Sequence, residues 1–286
     1  MTHSKIACLS LAALLLTACG GGDDLGLKSE DFGAKAGAST YWAGTGRALP
    51  TTPLGNKVAI SCHNCYGDTL AATQAKVSKA LARDFDLVEL DLTTHADGQV
   101  YVEHNDSELA RGSLQASLAN TALQQSNRML FLEVKEGYRS AAQSDAMMLA
   151  VLRAIRDHNY ATATRPAFLR AFTDGRHIHV VRAKQLLAAA EFSGIRNYVR
   201  LHSLVDGETN VIRTNIRASK NLGFHGVELE YSRPNLFGSI QQAKMLGLGV
   251  GLYTIPASMG EAYLSALRED VDFLTTDYDL DATAKA

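Results

Sequence analysis

Two short runs place charged side chains at the ends of apolar stretches: Glu89-Leu90-Asp91 within Leu87–Leu92, and Glu133-Val134-Lys135 at the end of Met129–Val134. Alternate residues of a strand share a face. Glu89 and Asp91 therefore point one way, as do Glu133 and Lys135. Three carboxylates converging on one cavity raise each other's pKa unless a cation neutralises them. Oxygen-only donors suit a hard divalent ion, Mg²⁺ or Ca²⁺. After Asp91 the chain reads Thr94-His95-Ala96-Asp97-Gly98, a turn signal, then Val100-Tyr101-Val102-Glu103-His104. A hairpin of this size folds His104 back beside Asp91.

Such a cluster needs a scaffold that gathers the ends of several strands. Apolar runs at Val58–Cys62, Leu87–Leu92, Met129–Val134, Ala167–Phe172, Tyr198–Leu201, Gly226–Leu229, Gly249–Tyr253 and Val271–Leu274 are candidate strands. Helix-length segments alternate with them: Leu70–Arg83, Ser113–Gln125, Ala141–His158, Val180–Phe192, Thr209–Asn221, Gly238–Leu246 and Met259–Arg268. Eight strand and helix repeats with near-continuous apolar strands predict an α/β fold, a closed (β/α)₈ TIM barrel over residues 57–280 followed by a short tail, 281–286. An open doubly wound sheet is the alternative, but no G-x-G-x-x-G or P-loop pattern opens any helix. In a barrel the active site lies at the carboxyl ends of the strands, where His63, the three carboxylates and Lys135 all fall.

These motifs, taken in order, closely resemble the glycerophosphodiester phosphodiesterase family of the phospholipase C-like phosphodiesterase superfamily. The match comprises His63, Glu89-x-Asp91 26 residues on, Asp97-Gly98, His104 13 residues after Asp91, Glu133-x-Lys135, and the closing strands through Tyr253-Thr254 and Thr275-Thr276-Asp277. The resemblance implies a metal held by Glu89, Asp91 and Glu133, His63 and His104 as the acid and base pair, and Lys135 neutralising the phosphate. The chemistry agrees, because a phosphodiester is a stable anion whose cleavage needs proton transfer and a cation facing the phosphoryl oxygens.

The chain departs from the family at several points. His63-Asn64-Cys65 stands where His-Arg-Gly is usual, His104-Asn105 where His-Asp is usual, and Tyr253 where a Trp is usual; no Pro-Glu-Asn-Thr element precedes the first helix. Asn64 and Tyr253 are candidate substrate contacts at these positions. Arg176, in the loop after the fourth strand, is a candidate for the missing phosphate arginine. Arg200 with His202, and Glu228 with Glu230, read as ends of the fifth and sixth strands, with Arg200 and Glu230 as candidate substrate contacts. His177-Ile178-His179 has the look of a metal pair but lacks a matching carboxylate nearby. Only Asn105–Gly112 separates the hairpin from the next helix, which predicts an open mouth without an inserted cap. The expected substrate is a phosphodiester or phospholipid-derived headgroup. A phospholipase of the sphingomyelinase D or phosphatidylinositol phospholipase C type is the alternative, and a non-catalytic lipoprotein that binds phosphorylated headgroups is a second.

The first residues carry their own address. Lys5, the apolar run Ile6–Leu16 and Leu16-Thr17-Ala18-Cys19 read as a lipoprotein signal peptide over 1–18 with lipidation at Cys19, too short to span a bilayer. This implies extracytoplasmic anchoring to a bacterial membrane, and Gly20 after the Cys implies the outer membrane of a Gram-negative host. Residues 19–56 read as the lipidated Cys and a flexible linker rich in Gly, Ala, Ser and Thr. Of four cysteines, Cys62 and Cys65 remain for the barrel, as a local disulfide, free thiols or, least favoured, metal or redox chemistry. The 286 residues carry 28 basic and 30 acidic side chains, a net charge of −2. No basic run exists for a nucleic acid to bind, and a barrel of this size can act as a monomer.

Overall fold

Eight strands pair in parallel to close a ring in the computed structural model, which describes residues 41–52, 54–83, 85–104, 112–256 and 271–277. All of these fall in one unit, Ala36–Ala286. The strands are β1 (Ala59–Cys62), β2 (Leu87–Thr94), β4 (Met129–Val134), β5 (Ala167–Phe172), β6 (Val199–Val205), β7 (Gly226–Glu230), β8 (Gly249–Ile255) and β9 (Phe273–Thr276). β1 pairs with both β2 and β9, which closes the barrel. A short β3 (Val100–Val102) folds antiparallel onto β2, opposing Leu92 with Val102. Helices α1 (Leu70–Ala82), α2 (Leu114–Leu118), α3 (Thr121–Gln125), α4 (Ala141–Asp157), α5 (His177–Leu186), α6 (Thr209–Asn221) and α7 (Leu236–Met245) lie between the strands in sequence. The fold is the predicted (β/α)₈ barrel.

Strand residues alternate between two apolar layers. Outward-facing residues such as Ile60, Leu90, Leu132 and Leu169 pack with Val77, Met148, Val180 and Ile212 of the helices. Inward-facing Ala59, Leu87, Met129, Phe131, Phe168 and Phe273 form a separate interior cluster. That cluster includes Trp42 and Leu49, with Tyr41 packed against it. Within the segment read as a linker, Tyr41, Trp42 and Leu49 thus pack against the interior of the barrel. Trp42 Nε1 donates to Asp272 O at 2.6 Å, and Arg47 Nε pairs with Asp86 at 2.6 Å. Asp86 in turn accepts from Ile60 N at 2.8 Å.

Three boundaries differ from expectation. The Ser113–Gln125 segment divides at Asn120, whose side chain caps α3 by accepting from Leu123 N. α5 begins at His177 rather than Val180. β6 runs on to Val205 because His202 and Ser203, polar in type, are buried inside the molecule. The expected signal peptide, the Cys19 lipidation site, the linker before residue 41, Asn105–Arg111, the Met259–Arg268 helix and the 281–286 tail lie outside the described residues. Among the described residues no helix is long and apolar enough to cross a membrane.

Candidate active site

Strand register builds the acidic centre. Asp91 of β2 lies opposite Glu133 of β4, and Glu133 lies opposite Arg170 of β5. Glu89, Asp91 and Glu133 each offer one oxygen, and these oxygens lie within 4.8 Å of one another in a buried site. Glu89 accepts from Asn64 N at 2.8 Å and pairs with Arg170. Asp91 accepts from Tyr66 Oη at 2.7 Å and faces Lys135 Nζ at 3.5 Å. Glu133 pairs with Lys135, and Arg170 Nη2 approaches it at 3.1 Å. Glu228, also fully buried, pairs with the other arm of Arg170.

Electrostatics decides what this cluster lacks. If all were ionised, Glu89, Asp91, Glu133 and Glu228 would bring four negative charges against two positive ones from Arg170 and Lys135. A proton kept on Glu133 or a cation among the carboxylates relieves that excess. Burial first, and the neighbouring Asp91 second, push the Glu133 carboxyl up to about 8. Asp91 Oδ1 is buried with no hydrogen-bond partner. A buried carboxylate oxygen left unsatisfied is costly, so the donor set fits a hard cation better than it fits protons.

Around the acids sit the other predicted residues. His63 follows β1 on the rim, 21% exposed in its side chain, and its Nδ1 is held by Asp277 after β9. Burial lowers the His63 pKa while the Asp277 hydrogen bond opposes that shift. Asn64 follows with a left-handed backbone, φ +50°, inside the Cys62–Cys65 disulfide loop. That conformation, tolerable for Asn, turns its N–H onto Glu89. At Asn64 the structure thus offers a backbone donor to Glu89, and its side-chain amide lies 3.1 Å from Tyr66 Oη. Glu103 N donates to Asp91 O at 2.9 Å, which pins the hairpin so that the next residue, His104, is exposed on the rim. Arg176 lies over the Phe172 ring at 4.7 Å, paired with Asp174. Tyr253 packs edge-on to Phe172 and donates to Val205 O at 3.3 Å. Glu230 is engaged by Ser232 Oγ and Arg233.

Arg200 is a correction. Because β6 extends to Val205, Arg200 stands near its start, 5.8 Å from the Tyr41 ring at the opposite end of the barrel. It cannot contact substrate at the mouth. His202 and Glu228 are likewise interior residues with 0% exposure. His177 and His179 stand two apart in the first turn of α5, so they do not share a face. His179 lines a cavity of about 310 Å³ between the hairpin tip, Glu136, Gln143 and α4.

Sequence reasoning missed four contributors. Arg170 was signalled only by alternation, at an inward position with Phe168, and Asp277 entered only as part of the closing-strand match, with no role. Tyr66 carried no pattern. Glu103, 0% exposed, accepts from Thr93 Oγ1 at 2.5 Å and engages His95, a role hidden beneath the conspicuous His104.

No family model and no curated protein sequence matches the chain. Solved structures do. A phosphodiesterase from Oleispira antarctica, in complex with the product sn-glycerol-3-phosphate, aligns with TM-score 0.59 at 14% identity, covering 81% of this chain and 94% of that one. A glycerophosphodiester phosphodiesterase from Parabacteroides distasonis aligns with TM-score 0.55 at 16% identity, covering 80% and 94%. One from Thermotoga maritima gives 0.52 at 18%, covering 78% and 96%. At these identities the likeness establishes the shared barrel, and the chemistry rests on the site.

Proposed function

We propose that the protein is a metal-dependent phosphodiesterase acting on glycerophosphodiesters or related phospholipid headgroup diesters. The observation that carries this reading is the buried Glu89, Asp91 and Glu133 cluster, with Asp91 Oδ1 left without a hydrogen-bond partner, on a barrel shared with glycerophosphodiester phosphodiesterases. Glu89, Asp91 and Glu133 would hold Mg²⁺ or Ca²⁺. Such a cation supplies positive charge opposite the developing negative charge on the phosphoryl oxygens.

The chain's own groups supply the remainder. Lys135, between Asp91 and Glu133, adds a second positive charge at the floor of the mouth. His63, steered through Nδ1 by Asp277, presents Nε2 as one proton-transfer group. His104, on the hairpin held to Asp91, supplies the other. Two imidazoles on opposite flanks of phosphorus take a proton from the attacking oxygen and give one to the leaving oxygen. Arg176, carried on the loop after β5, is the candidate partner for a phosphate oxygen, replacing the arginine absent at Asn64. The protein is taken to act outside the cytoplasm, anchored through Cys19, a setting with which the Cys62–Cys65 disulfide agrees.

Phosphorus NMR tests the reading, with glycerophosphocholine, lysophospholipid and sphingomyelin as substrates. Wild type should cleave at least one, chelator should stop it, and His104→Ala and Asp91→Asn should each lose at least ~100-fold of the rate. A glycerol 3-phosphate signal would establish the glycerophosphodiesterase. A cyclic phosphate would favour the phospholipase alternative, which the altered His63-Asn64-Cys65 segment supports. Folded, cation-loaded protein silent on every diester would leave a headgroup-binding lipoprotein.

A further inference from the structure

A line of buried polar side chains runs the length of the barrel interior, from its amino-terminal end to the acidic centre. Tyr41 Oη meets His202 Nε2, and His202 Nδ1 faces Glu228 Oε1 at 3.4 Å. Glu228 Oε2 pairs with Arg170 Nη1, and Arg170 Nη2 reaches Glu89 and, at 3.1 Å, Glu133. His202, Glu228 and Arg170 are each no more than 1% exposed. The guanidinium stacks over Phe131 at 4.5 Å, and His202 stacks on Phe273 at 5.1 Å, so both planes are fixed by packing.

We propose that Tyr41, His202 and Glu228 are positioning residues that orient Arg170, and through it Glu89 and Glu133, for the cation. The segment preceding the barrel thereby sets the affinity of the metal centre. The inference rests on reading that centre as a cation site.

Two observations carry it. The first is polarity. Glu228 can only accept, so His202 Nδ1 must bear the proton, and His202 Nε2 must accept from the Tyr41 hydroxyl. Burial lowers the His202 pKa, which agrees with a neutral ring. The chain thus has one consistent direction of donation, ending at a carboxylate that holds Arg170 by one arm and leaves the other for the metal ligands. The second is space. A Cβ at Gly249 would sit 2.3 Å from the Tyr41 ring, and one at Gly226 would sit 2.8 Å from His202 Nε2. Glycine weakens strands, and two of them stand where Tyr41 and His202 need room. Outer hydrogen-bond partners of metal ligands typically govern affinity by 10–100-fold.

The test is calorimetric titration of full-length protein with Mg²⁺ and Ca²⁺, beside thermal melting, for wild type, Tyr41→Phe, His202→Phe, His202→Gln and Trp42→Phe. Trp42 belongs to the same packed floor but not to the chain, and it is the only tryptophan. His202→Phe should weaken cation binding ~10–100-fold and Tyr41→Phe ~3–10-fold, with the Gln variant, which keeps a donor for Glu228, recovering part of the loss. Trp42→Phe should lower melting temperature without changing affinity. Unchanged affinity in the Tyr41 and His202 variants overturns the inference alone. So does a loss that Trp42→Phe shares in proportion to its destabilisation. A wild type that binds no divalent cation overturns both this inference and the reading of the site.

Discussion

His63, on the loop after the first barrel strand, is hydrogen-bonded through Nδ1 to Asp277, just past the last strand, so the seam that closes the barrel also orients a rim imidazole. Burial lowers the His63 pKa and Asp277 raises it, with burial prevailing. The kcat/KM limb that reports His63 should therefore fall below the ordinary imidazole value of about 6.5. Removing the Asp277 charge withdraws the opposing effect. Asp277→Asn should move that limb to still lower pH and reduce kcat by about 10–100-fold, through a less well oriented imidazole of shifted pKa. A pH–rate profile of the two proteins checks it, and an unmoved limb would detach Asp277 from catalysis.

Cation binding at the proposed site would be a proton exchange at Glu133. Its carboxyl, pushed up to about 8 by burial and by Asp91, is largely protonated at pH 7. A cation among the three carboxylates must displace that proton. Calorimetry at pH 7 in buffers of differing ionisation enthalpy should give up to about one proton released per cation, and affinity should climb as pH rises toward 8. Glu133→Gln should abolish the release and weaken binding. Buffer-independent heats would mean Glu133 is already ionised.

Much of this site was legible because its parts sit at strand ends. Continuous apolar runs marked the eight strands, and the alternation of Glu89 with Asp91 put both carboxylates inward, as found. What stayed hidden was polar residues doing interior duty. His202 and Ser203 interrupt the apolar run of β6, so the strand read as ending at Leu201, and Arg200 was carried to the mouth when it belongs at the other end. Tyr41 and Trp42 stand in a Gly- and Thr-rich segment with no periodicity, and nothing local tells that they fill the barrel floor. Long-range pairings such as Arg170 with Glu228 leave no spacing signal at all.

The Cys62–Cys65 disulfide closes a very short loop around Asn64. In the chain-entropy view such a small loop contributes about 2 kcal/mol, far less than a long-range bridge. Reduction, or a Cys62→Ser/Cys65→Ser double variant, should lower the melting temperature by about 5 °C. The functional cost should be larger than the stability cost, because the loop holds the Asn64 N–H on Glu89. Weaker cation binding at a temperature where the variant is fully folded is the expected result. Equal affinities would make the bridge a stabilising device only.

His225 reports on the acid stability of the barrel. Its Nδ1 accepts from Leu201 N at 3.0 Å, so the ring must be neutral there. Burial first, then the Arg200 charge, lowers its pKa to about 4. In the unfolded chain it titrates near 6.5. Between these values the unfolded state binds the additional proton, so stability falls as pH drops from about 6.5 toward 4 and is fully present above that window. At 1.36 kcal/mol for each pH unit of difference, the loss attributable to this residue is about 3 kcal/mol. His177, His179 and His202, also lowered by burial, act in the same direction. The difference between wild type and His225→Asn isolates the one group. Denaturant unfolding at pH 7 and pH 4.5 should show the variant losing less stability on acidification than wild type, with its own stability at pH 7 somewhat reduced. Parallel losses in the two proteins would mean that the ring is protonated in the folded barrel, and that the Leu201 amide has found another acceptor.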